Sequence, residues 1–119
     1  MREERGKLSG DFTIAELYTL WGMIVGTVSV VENGKLYLRG SIYGDLAVEE
    51  GGRVHIFGNL QGNLIVHKGA KVIHSGVIGG DITNRGGRIF IELAAKTMGK
   101  IKTKSGKTEF EQRQKFMDE

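Results

Sequence analysis

Lys35, Arg53, Lys71 and Arg88 recur at intervals of 18, 18 and 17 residues, each directly after a short corner sequence such as Asn33-Gly34 or Gly51-Gly52. Four cations brought into register would form a basic stripe, and a stripe of that kind can hold phosphates or other polyanions. Lys96 is a candidate continuation. No aromatic residue is read as interleaved with these cations to stack bases, so nucleic acid is not the expected partner. The plainer reading is a solvated turn position balanced by the neighbouring Glu32 and Glu50, and the sequence favours it. The other residues that could do chemistry are scattered. His55, His67 and His74 fall at three different places in the repeat, with no acidic cluster at ligand spacing around them, so no metal site is expected. Asp11, Asp45 and Asp81 share one place, but they flank glycines where the equivalent residues are Thr27 and Asn63. Hydrogen bonding at a corner suits them better than acid and base roles do. With no cysteine there is no disulfide, thiolate metal site or thiol nucleophile. The expectation is a protein that is not an enzyme and takes no cofactor.

The stripe requires a scaffold that repeats, and the chain has one. "GSIYGDLAV" at residues 40–48 has a sister, "GNLQGNLIV", at residues 58–66. Five units start at Gly6, Gly22, Gly40, Gly58 and Gly76, each opening Gly-x-apolar-x-Gly-x-apolar. Within a unit the apolar residues alternate, as at Ile42, Leu46 and Val48 and then Val54 and Ile56, which is the period of a strand. A unit of about 18 residues cannot bury its apolar face alone, whereas stacked copies can, and this defines a solenoid. Each unit reads as one coil of a β-helix, with successive coils about 4.8 Å apart. Glycine, at 19 of 119 residues, supplies the corners, and proline is absent, as suits a backbone paired on both sides.

The bulk properties agree with one modest domain. The net charge of +3 is a weak hint of an anionic partner. The longest uncharged run, Leu17 to Val31, is too short and too polar to span a bilayer. The charged start "MREERGK" lacks the apolar segment of a secretory signal, which makes the cytoplasm the expected compartment.

The openings at Gly40, Gly58 and Gly76, with "EEGGRVHI" and "KGAKVI" closing two units, resemble the bactofilins, bacterial polymer-forming cytoskeletal proteins. The resemblance covers about residues 6–101. It implies a right-handed β-helix that assembles end to end, without nucleotide, into filaments that scaffold envelope or membrane-associated machinery.

The sequence thus predicts an all-β, single-stranded β-helix of five to six coils over residues 6–103. It predicts a charged arm at 1–5 and a charged tail at 104–119 that is disordered or forms a short helix, with Thr108-x-x-Glu111 as its cap and Phe110 and Met117 on one face. The expected contacts for self-assembly are Leu8, Phe12, Ile14, Tyr18 and Leu20 at the N-terminal end, and Ile78, Ile82, Ile89, Ile91 and Met98 at the other. The runner-up is a small binding module that uses the stripe to hold an anionic polymer or membrane surface. A third reading, a hexapeptide-repeat acyltransferase, has the six-residue apolar beat but lacks the inserted loop.

Overall fold

The computed structural model describes residues 2–112, and they form an all-β solenoid of about six coils with no helix. Each coil lays a short strand on each of three faces. In the third coil these are Ser41–Tyr43, Leu46–Val48 and Arg53–Ile56. Every strand pairs in parallel with its sister one coil away, as Arg53 does with Lys35 below and Lys71 above. The 18-residue spacing read from the sequence is thus the hydrogen-bonded register. Alternation sends Ile42, Leu46, Val48, Val54 and Ile56 inward, all at most 3% exposed, and their sisters stack on them as interior ladders.

Two glycine positions show why the repeat tolerates so little else. Gly51 takes φ = 82° at the corner before the third face; its sisters Asn33 and Gly69 take 72° and 81°. Ala70 stands at the following position, where no left-handed backbone is required. Gly40 serves another purpose. A Cβ there would overlap the carbonyl oxygen of Gly22 in the coil below, so bare backbone lets the coils approach to hydrogen-bonding distance.

The chain differs from expectation at both ends. Within the expected charged arm, Arg2–Glu4 is a strand whose Arg2 and Glu4 pair with Tyr18 and Leu20. The tail does not begin at 104 and carries no helix over its described part. Lys96–Thr97 and Ile101–Phe110 form a sixth coil, paired with the strands Val77–Ile78 and Ile82–Ile91. Thr108 does not cap a helix; it sits over Ile89, and its hydroxyl accepts from Asn84 Nδ2 at 3.2 Å. A β-branched residue with a parallel partner beneath it is better served by a strand than by an unpacked helix turn. Met117 lies outside the described residues.

Asn84 absorbs the fifth unit's missing residue. The ladder slips where His67 faces both Arg85 and Gly86, and the Asn84 side chain turns into the core with no exposed surface. Its Oδ1 accepts from the Gly86 and Gly87 amides at 3.0 and 2.9 Å. Its two Nδ2 protons are shared among the Gly87 and Lys107 carbonyls and Thr108 Oγ1.

Candidate functional site

The third face carries the stripe. Its strands Lys35–Leu38, Arg53–Ile56, Lys71–His74, the second half of Ile82–Ile91 and the end of Ile101–Phe110 each begin with an outward cation. The pairs Lys35–Arg53, Arg53–Lys71 and Lys71–Arg88 are in register, so the four predicted cations do form one row. The fifth member is Lys107, which pairs with Arg88; Lys96 instead pairs with Val77 on another face. The expected balance by Glu32 and Glu50 is not made. Among the described residues none of Lys35, Arg53, Lys71 and Arg88 is in an ion pair, while Lys107 is held by Glu109 at 3.4 Å.

Two residues further along each strand is a second outward row: Tyr37, His55, Ile73 and Phe90, ending in Glu109. Aromatic side chains therefore do stand beside three of the four cations, with Ile73 in that place beside Lys71, which the reading in chain order missed. The signal was present as Lys35-x-Tyr37, Arg53-x-His55 and Arg88-x-Phe90. Between the two rows runs a groove of about 330 Å³, floored by Val54, Val72 and Ile89 and closed at one end by Glu109. Phe57 flanks it, stacked on His55 with ring centres 3.8 Å apart. The Arg39 guanidinium lies 4.3 Å from the Phe57 ring centre and 5.2 Å from that of Trp21.

His55 also belongs to a side-chain chain with Ser75 and Glu92. Ser75 donates its only proton to the Glu92 carboxylate, so His55 Nε2, 3.0 Å away, must donate to Ser75. That direction is the reverse of what a serine nucleophile needs, since the imidazole cannot then accept the hydroxyl proton. Burial lowers the His55 pKa, Arg39 and Lys35 add to the effect, and Glu92 partly opposes it.

The remaining sequence candidates take structural places. Asp11, Asp45, Asn63 and Asp81 each accept a hydrogen bond from a backbone amide one coil on, at Thr27, Asn63, Asp81 and Lys100, over 2.8–3.0 Å. His67 faces outward near Glu49, and His74 is fully buried. Among the described residues no group of three His, Cys, Asp or Glu side chains could hold a metal ion, and no helix is long and apolar enough to cross a membrane.

The two ends are unlike. At the N-terminal end Leu8, Phe12 and Tyr18 are only partly covered and, with Ile14, line an open hollow of about 240 Å³. Ile14 and Leu20 are nearly or wholly buried. At the other end the expected contact residues are misplaced: Ile78, Ile82, Ile89 and Ile91 are interior rungs, at most 6% exposed, because the sixth coil covers them. Met98 alone of that set is at the surface, 72% exposed. The true last rung is mixed: Thr97, Thr103 and Thr108 stand over Ile78, Asn84 and Ile89, with the Thr103 and Thr108 hydroxyls 2.8 Å apart, while Ile101 and Phe110 stand over Ile82 and Ile91, and Phe110 is 52% exposed.

Comparison with protein-family models, with curated proteins and with solved structures gives no match. The class is therefore defined by the fold: a β-solenoid with an apolar hollow rimmed by Arg2, Glu4 and Glu16 at one end, a rung of mixed threonine and apolar side chains at the other, and one basic face.

Proposed function

We propose that this protein is a structural, non-enzymatic scaffold that assembles end to end through its coils without nucleotide, as the resemblance to bactofilins implies. The observation that carries this reading is the incomplete first coil. Leu8, Phe12 and Tyr18 lie partly open around a hollow, and among the described residues the strands Lys7–Ser9 and Phe12–Ile14 have a partner on one side only. An unpaired parallel edge over an open apolar rung is a template for a further strand layer, and a second copy supplies one of matching width. Among the described residues the last coil is also unpaired on its outer side, where threonine hydroxyls stand beside Ile101 and Phe110. Such a rod would act in the cytoplasm, with envelope or membrane-associated proteins recruited along its faces.

Light scattering and negative-stain microscopy of purified protein in nucleotide-free buffer test the proposal. The expected result is assemblies larger than one chain and elongated along the solenoid axis. A strict monomer at high concentration, in both low and moderate salt, would overturn it.

A further inference from the structure

We infer that the groove on the third face binds single-stranded nucleic acid, about one nucleotide per coil over four coils. Each of these coils offers one cation that is in no ion pair among the described residues, and three of the four set a ring beside it, Tyr37, His55 or Phe90, with Ile73 as an apolar contact in the remaining coil; the Lys35 ammonium lies 5.1 Å from the Tyr37 ring centre. A nucleic acid strand likewise carries one anion and one flat ring per unit. Sequence-tolerant single-strand binding combines these two features, a cationic track for the backbone and side chains for the bases to stack on.

Spacing selects the single strand over the duplex. The cations repeat at the coil distance, about 4.8 Å, whereas phosphates along one strand of a stacked duplex advance only about 3.4 Å. A duplex strand would fall out of step within two or three coils, and its partner strand would meet the aromatic row. An unstacked strand can stretch to the longer repeat. An acidic polypeptide would satisfy the cations but brings no ring at each unit. The track also has limits: Leu17 precedes Lys35 in the cation row, and beyond Arg88 the Lys107 ammonium is already held by Glu109, whose carboxylate repels a fifth phosphate. The site is independent of the two ends used for assembly.

Fluorescence anisotropy of a labelled oligothymidylate titrated with the full chain tests the inference, with a duplex of the same length and inorganic polyphosphate as competitors. Saturable binding is expected, with log Kd changing with log salt at a slope near 3, from roughly 0.7 for each of four phosphates. Arg53→Ala should weaken binding and lower that slope by about 0.7, and Lys71→Ala should do the same if Arg53→Ala folds poorly. Tyr37→Ala and Phe90→Ala should each weaken oligothymidylate binding on the order of tenfold without changing the slope. Three outcomes would overturn the inference: no saturable binding at low salt, a duplex that competes as well as the single strand, or ring variants that bind like the parent while polyphosphate competes fully. The last would show a general anion face.

Discussion

His74 and Asn84 are both polar and fully buried, yet the fold satisfies them unequally. Asn84 has every polar atom engaged, which is why a side chain that is costly to bury can hold a one-residue deletion in place. His74 stands in the ladder of Leu20, Leu38 and Ile56. Its Nε2 lies 3.1 Å from the Lys96 carbonyl, which can only accept, so Nε2 carries the proton and buried Nδ1 has no partner. Burial lowers the His74 pKa, the bond to Lys96 offsetting only part of the effect. The unfolded chain therefore binds a proton near the ordinary value of 6.5 while the folded chain resists it. Stability is then level above about pH 6.5 and falls as pH drops from there toward the lowered value. Urea unfolding at pH 8 and pH 5 should show His74→Leu at least as stable as the parent at pH 8 and more clearly stabilised at pH 5. His55, whose shift has the same sign, adds to the slope that remains. An H74L variant with unchanged pH dependence would refute this account. At this scale the sequence placed His74 inward, because column arithmetic suffices there. It did not place Asn84, since a deletion reverses the inward and outward parity and only the local hydrogen bonds decide which way the side chain turns.

Individual coils were legible wherever the repeat kept its length. The Gly-x-apolar-x-Gly opening fixed the strands and corners of residues 22–75 because spacing and register are there the same quantity. The sixth coil was hidden for a chemical reason: three of its inward places hold Thr97, Thr103 and Thr108 and only Ile101 and Phe110 keep the apolar character, so the beat fades while the backbone register persists. The aromatic row was missed because neighbours in a solenoid are 18 residues apart in sequence, and interleaving is seen only after the units are stacked. The glycine that opens each coil gives a direct test of this stacking. Gly40 donates to the Leu20 carbonyl at 2.8 Å, and a Cβ on it would overlap the Gly22 carbonyl oxygen. Gly6 has the same place in the first coil, but the nearest atom to its Cβ is the flexible Glu4 carboxylate, at 3.3 Å. Gly40→Ala should cost about 1–3 kcal/mol in chemical denaturation through overpacking. Gly6→Ala should stay within about 0.5 kcal/mol, as a surface change does. Equal costs would mean that coil contact does not select the glycine.

Along the whole molecule the interior changes character, from the aliphatic and aromatic rungs of the first coil, through His74 and Asn84, to the threonines that join Ile101 and Phe110 in the sixth. This gradient bears on how copies meet. Joining unlike ends would press the apolar hollow around Phe12 against a rung that carries Thr97, Thr103 and Thr108 beside Ile101 and Phe110, and each hydroxyl left short of a partner would cost about 1–3 kcal/mol. Joining two N-terminal ends covers apolar surface on both sides. In such a twofold contact each side chain is counted twice, and full burial of a large apolar side chain contributes about 1.5–3 kcal/mol. The expected primary contact is therefore N-terminal end to N-terminal end, with any longer assembly requiring a weaker contact between the threonine-bearing ends. Phe12→Glu sets two carboxylates against each other across the first contact, and Thr103→Glu does so across the second. Sedimentation velocity should find that Thr103→Glu leaves dimers, that Phe12→Glu removes them, and that the double variant is monomeric. Thermal melts serve to confirm that each variant stays folded. If assembly instead ran head to tail, each interface would contain one altered end in either single variant, and Thr103→Glu alone would reduce the protein to monomers.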